Sequence, residues 1–126
     1  MNDPEETMHD DTRNRNRGLL AHHVALEGAA LAIELAAGIP APMKSLADQI
    51  IRSASSVPAN LAEGAGRTGR DRTHHWRIAY GSALEVGSHL ELVRRIHAVD
   101  DDRAGEALEV FDRVRALTWR LVHPRR

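Results

Sequence analysis

The sequence predicts an all-α fold, a bundle of four helices, and three observations carry that expectation. Apolar residues return at helical spacing along four successive stretches. Clusters of glycine, proline and aspartate separate those stretches where helices would stop and start. The length, 126 residues, suits one domain built on one core. The expected organisation is an N-terminal arm over residues 1–17, a bundle over 18–123 and a C-terminal tail over 124–126.

The arm begins with Asp3, Glu5, Glu6, Asp10 and Asp11 and continues with Arg13, Arg15 and Arg17. Hardly any apolar side chain would anchor it, so it is expected to be mobile, and it has no signal-peptide pattern. From Leu19 to Ile39 the chain is apolar enough to raise a membrane span. His22, His23, Glu27 and Glu34 interrupt it at a high cost in lipid, so a buried helix and no membrane contact are expected. On a helical wheel His23, Glu27, Ala30 and Glu34 form one narrow stripe, and nearly everything else is apolar or alanine. Partner helices in one chain cover a single broad face, so the remaining apolar arc predicts a homo-oligomer. Gly38, Pro40 and Pro42 end this helix, and Ser45 with Asp48 is placed to cap the next.

The second helix has Leu46, Ile50, Val57 and Leu61 on one face and short polar residues, Ser53, Ser55, Ser56 and Asn60, beside it. Pro58 falls in its middle. Proline removes the amide that would bond the Ala54 carbonyl, so a kink or break near Val57 is expected, with Ser or Asn side chains available to the freed carbonyl. The helix is expected to close at Ala62-Glu63-Gly64, with Gly64 as a left-handed terminator. Structural roles are therefore assigned to Pro58, Asn60, Glu63 and Gly64.

Gly64, Gly66 and Gly69 make a literal GxGxxG. That pattern cradles a pyrophosphate only between a strand and a helix, and here a helix precedes it, so a dinucleotide site is rejected. Arg67, Arg70, Arg72 and Arg77 surround a single acid, Asp71, with His74 and His75 adjacent. These four arginines are the candidate nucleic-acid-binding residues. The whole chain gives no global attraction for a polyanion: 17 basic residues face 18 acidic ones, for a formal net charge of -1. Any such surface must be local. Lys44 is the only lysine, and arginine suits bidentate contact with phosphate.

The third helix is expected from about Asp71 to His97, with Trp76, Tyr80, Ala83, Leu90 and His97 along a seam widened by Val86, Val93 and Ile96. Gly81 and Gly87 inside it suggest close backbone approach to a neighbouring helix. Asp100, Asp101 and Asp102 open the fourth helix at its positive end. Ala107, Val110, Phe111, Val114, Leu117, Thr118 and Leu121 give it a three-four repeat, Glu109 is placed to pair with Arg113, and Pro124 ends it.

Chemistry has little to build on. With no cysteine there is no disulfide, thiolate ligand or thiol nucleophile, and a reducing, cytoplasmic compartment is expected. Di-metal bundles use Glu-x-x-His helices. Glu6 and His9 fit that spacing only within the arm, while His23 with Glu27 and Glu85 with His89 are i, i+4 pairs that supply two ligands each. No catalytic residue, metal or cofactor is assigned; Glu85 and His89 are expected to make buried polar contacts within or between bundles.

The runs SVPANLAEG from Ser56 to Gly64, GR at Gly66 and Arg67, IAYGS from Ile78 to Ser82, and the spacing of Glu85, Ser88, His89 and Leu90 resemble a bacterial family encoded in intervening sequences of large-subunit ribosomal RNA genes. The similarity extends from about Gly18 to Val122. It implies an up-down antiparallel four-helix bundle assembling as a ring, usually a pentamer. The family includes accessory proteins of diversity-generating retroelements, which bind nucleic acid and a reverse transcriptase through basic surfaces, although most members have no assigned role. The chain departs from the pattern at Thr73 and His75, where larger apolar residues are common, and in being nearly neutral. The resulting expectation is a non-enzymatic, cytoplasmic, homo-oligomeric scaffold whose partner is RNA, DNA or a ribonucleoprotein. A protein-only adaptor is the alternative, with a metal-binding bundle behind it.

Overall fold

The computed structural model describes residues 4–124, with side chains from residue 12 onward. Within them lie four helices, α1 (Pro4–Ala37), α2 (Lys44–Ala65), α3 (Gly69–Arg95) and α4 (Asp101–Val122), plus a 3-10 turn at Ala41–Met43, and no strand. α1 starts at Pro4, so the helical backbone continues through residues 4–17, where an arm was expected. Proline at the first helical position loses an amide that has no partner there anyway. Residues 1–3 and 125–126, the ends of the expected arm and tail, lie outside the described residues, as do the Glu6 and His9 side chains.

Each helix packs on two others in a cycle: α1 on α2, α2 on α3, α3 on α4, and α4 on α1. Contacts fix the level at which the helices meet. Early in α3, His75 and Trp76 bond Asn60 and Leu61 near the end of α2, and Ser82, further along α3, bonds Ser56, which lies earlier in α2. Along α1 and α4, Gly28 lies against Phe111 and Glu34 bonds Arg103.

The core follows the predicted apolar positions. Ile50, Val57 and Leu61 of α2, Val86, Leu90 and Val93 of α3 and Val114 of α4 are fully enclosed. Thr118 is enclosed with them because its hydroxyl donates to the Val114 carbonyl at 2.9 Å, which removes the cost of burying a polar atom. α1 contributes small residues, among them Ala21, Val24, Ala25, Ala29 and Ala32, so its backbone comes close to its neighbours. Part of α1, residues 12–37, is long and apolar enough to cross a membrane, and 44% of its most apolar window is buried inside the chain. On the other side Leu19, Leu26 and Ile33 remain exposed. The broad apolar arc read from sequence is therefore only partly covered within one chain.

Several local expectations change. α2 runs without a break through Pro58, which is buried. The nearby polar side chains return to other carbonyls than that of Ala54: Ser53 to Gln49, Ser55 to Ile51 and Asn60 to Ser56. Ser45 and Asp48 do not cap α2; the 3-10 turn leads directly into Met43, which offers no side-chain oxygen. α3 stops at Arg95, and His97 leaves the helix with φ 58, so it is not part of the seam. Ile96 is exposed and Tyr80 only half-buried. Glu109 and Arg113 make no pair; Arg115 instead approaches Asp112 at 3.7 Å.

Candidate nucleic-acid interface

The basic corner is organised by a tryptophan. Trp76 is 2% exposed and sits where α1, α2 and α3 meet: a Cβ placed on Gly18 would lie 3.1 Å from its ring, and one on Gly64 only 2.5 Å. Gly64 is thus a helical residue whose missing side chain admits the indole, and the left-handed terminator role assigned from sequence is wrong. The indole Nε1 donates to the Leu61 carbonyl at 3.3 Å. α2 ends at Ala65, with Gly66 as its C-cap, and Gly69 carries the positive φ of 58.

The four candidate arginines separate into three kinds. Arg72 is 7% exposed; its Nε donates to the Gly64 carbonyl at 3.2 Å, and its guanidinium lies 5.5 Å from the Trp76 ring centroid. These contacts satisfy end carbonyls of α2 and add a cation–π contact to the indole. Arg67 is exposed and donates twice to Glu63 Oε1, at 3.0 and 2.6 Å, with Asp71 at 4.0 Å. That hydrogen bonding, and then the charge of Arg67, holds the Glu63 carboxyl below the usual carboxylate range and the Arg67 guanidinium above its ordinary value. Arg70 and Arg77 are exposed and make no ion pair or hydrogen bond among the described residues. Of the four, these two present uncommitted cations to solvent. Sequence spacing treats all four alike because burial and acid contacts depend on the packed corner.

The other assigned residues have distinct environments. Asn60 donates to the Ser56 carbonyl and its Oδ1 lies 3.1 Å from His75 Nδ1, tying α2 to α3. A side chain on Gly81 or Gly87 would meet nothing within 4 Å of its Cβ, so no helix of this chain approaches them as expected. Glu85 and His89 make their i, i+4 contact at 3.4 Å with Glu85 exposed, so within one chain the pair is not a buried one. Among the described residues no three His, Asp or Glu side chains cluster as metal ligands.

Charge is distributed by position along the bundle. The contacts of Trp76 put the early part of α1, the end of α2 and the start of α3 together, and the α1–α4 pairs bring the end of α4 to the same place. That end carries Arg13, Arg15 and Arg17 from α1, the four candidate arginines, and Arg115 and Arg120 from α4. Its described acids are Glu63, Asp71 and Asp112. At the opposite end Glu34, Asp48, Glu91, Asp100, Asp101, Asp102 and Glu106 outnumber Lys44, Arg94, Arg95 and Arg103. Among the residues with described side chains the two ends of the bundle therefore carry opposite excess charge, a property that net charge conceals. Sequence reasoning also missed Trp119, 48% exposed at the basic end and stacked on His123 with centroids 4.4 Å apart. Its signal was the i, i+4 spacing of the two rings.

Two comparisons bear on this arrangement. A family model described as 23S rRNA-intervening sequence protein matches residues 22–119. A crystal structure of a protein of unknown function from the S23 ribosomal protein family of Bacteroides thetaiotaomicron is similar with a TM-score of 0.77 and 22% identity. The likeness covers 85% of this chain and 98% of that one, and at this identity it concerns the fold alone. No curated protein matches the chain.

Proposed function

The chain belongs to the 23S rRNA-intervening sequence protein family, and from that premise we propose that it is a non-enzymatic, cytoplasmic scaffold that binds nucleic-acid backbone at its basic end. The observation that carries this reading is the charge distribution among the described residues, with Arg70 and Arg77 unpaired among them at one end and an acidic excess at the other. Phosphates are attracted to the first and repelled by the second, so binding is oriented although the net charge is -1.

The bundle in this proposal is up-down and antiparallel, bends at Pro58 and assembles into a homo-oligomeric ring, with a pentamer favoured. The exposed Leu19, Leu26 and Ile33 of α1 support subunit contact. In a cyclic ring every subunit presents its ends alike, so the arginine patches repeat around it. The same apolar residues favour a second reading, an adaptor that docks a protein such as a reverse transcriptase.

Mobility-shift titration with RNA and DNA at two salt concentrations tests the first reading. Binding is expected to weaken steeply with salt, and the paired change Arg70→Gln with Arg77→Gln to reduce affinity and the salt slope together. Salt-insensitive or absent binding would favour the adaptor. Native mass spectrometry counts subunits, and a monomer would remove the ring.

A further inference from the structure

The edge between α3 and α4 has a different character at its two ends. At the acidic end Arg94 Nε bonds Asp101 at 2.9 Å, and its guanidinium lies 3.3 Å from a Cβ position on Gly105, which fixes the facing sides of the two helices. Tyr80 is 14 residues before Arg94 and Trp119 is 14 after Gly105. Fourteen residues is close to four full helical turns, so both rings return to those same facing sides. In the antiparallel bundle proposed above, Trp119 comes level with about residue 78 of α3.

Arg77 lies one turn from Tyr80, and Arg115 and His123 lie one turn either side of Trp119. Trp119 is half exposed, Tyr80 half-buried, and their rings do not stack on each other. Instead the indole stacks on His123, whose Nδ1 is 3.1 Å from the Trp119 carbonyl oxygen and so holds the imidazole in place. Asp112 is the nearby acid, 3.7 Å from the Arg115 guanidinium in an exposed pair. An oriented aromatic platform thus lies between arginines at the end already charged for a polyanion.

We propose that this edge binds single-stranded nucleic acid, an unpaired base stacking on Trp119 while Arg77 and Arg115 hold the adjoining phosphates. The proposal rests on the nucleic-acid reading above and adds the form of the ligand. A duplex keeps its base faces inside its own stack and can offer this edge only phosphates, whereas every base of a single strand has a face to give.

Titrating the full chain with an oligouridylate and an oligothymidylate, each about a dozen nucleotides long, and with the matching duplexes tests it. Both single strands are expected to quench tryptophan emission, since Trp76 is buried and Trp119 is not, and to bind more tightly than duplex. Trp119→Ala should weaken single-strand binding by roughly five-fold or more with an unchanged salt slope, while Trp119→Phe retains most of the affinity. Arg77→Gln should lower the slope by about one. Circular dichroism confirms that the variants fold. Equal affinity for single strands and duplexes, or a Trp119→Ala protein that binds normally, overturns the stacking site and leaves backbone binding standing. A Trp119→Ala protein with altered subunit number assigns the ring to a subunit contact and also overturns it. Absence of binding to every strand at low salt removes both readings.

Discussion

The two turns at which α3 begins and ends are stabilised by different means. Where α2 passes into α3, side chains hold the corner: Trp76 wedges between Gly18 and Gly64, and Arg72 covers the Gly64 carbonyl. Where α3 passes into α4, the backbone does. His97 adopts φ 58, Ala98 N donates to the Val93 carbonyl at 2.9 Å and His97 N to that of Arg94 at 3.1 Å, the two bonds of a Schellman motif. Asp100 then caps α4, accepting from the Arg103 amide at 3.0 Å. A corner held by packing can be crowded with arginines, because their long stems and forks join the packing; a corner held by hydrogen bonds favours carboxylates, which complement the amide-rich start of a helix.

The largest effect should come from removing the wedge. Trp76→Ala is expected to lower stability by about 3–5 kcal/mol, as for other buried aromatics, measured by urea unfolding. Gly64→Ala should destabilise too: crowding of about 1–3 kcal/mol outweighs up to about 1 kcal/mol of helix propensity gained. A neutral or stabilising Gly64→Ala would mean that the indole moves aside freely, and the packed corner would lose its distinction.

The capped corner should respond less, and in both directions. Asp100→Ala is expected to cost about 1 kcal/mol through loss of the N-cap bond. His97→Gly should add about 1 kcal/mol by relieving a left-handed conformation that a side chain disfavours. Thermal midpoints in the same buffer distinguish the signs, and a destabilised His97→Gly protein would show that the imidazole contributes more there than its backbone conformation costs.

The contrast explains what sequence made legible. α2 and α4 were readable because Ile50, Val57 and Leu61, and Phe111, Val114 and Leu121, repeat at core spacing with nothing non-local required. Asp100 was readable as a start signal because a cap is a local bond. The packed corner was not: Gly18, Gly64 and Trp76 are far apart in sequence, and only their meeting reveals why Gly64 has no side chain. Burial of Arg72 depends on that same meeting, so spacing alone counted it among the surface cations. The end of α3 was misplaced because a histidine stands at the left-handed position that glycine would have announced. Family resemblance reached the fold through runs such as SVPANLAEG, while the polarity of the bundle emerged only when residues from four helices were assigned to its two ends.

The smallest predicted effect compares the exposed ion pairs of the two corners as pH falls. Glu63 is held below the usual carboxylate range by its hydrogen bond to Arg67, and Asp101 by its hydrogen bond to Arg94. A carboxyl with a lowered folded value contributes stability that is present above its unfolded value and is lost as pH drops through the folded one. Both corners should therefore weaken on acidification, slightly, because the pairs are exposed and screened by salt. The helix dipole separates them at neutral pH. Glu63 sits in the last turn of α2, where the carbonyl end disfavours a negative charge, whereas Asp101 sits in the first turn of α4, where the amides favour it. Asp101→Asn should accordingly lower the urea midpoint at neutral pH more than Glu63→Gln does, and each should flatten the acid limb of the stability profile. An equal loss from the two substitutions would mean that pairing with arginine governs both corners and that the helix ends contribute nothing to their difference.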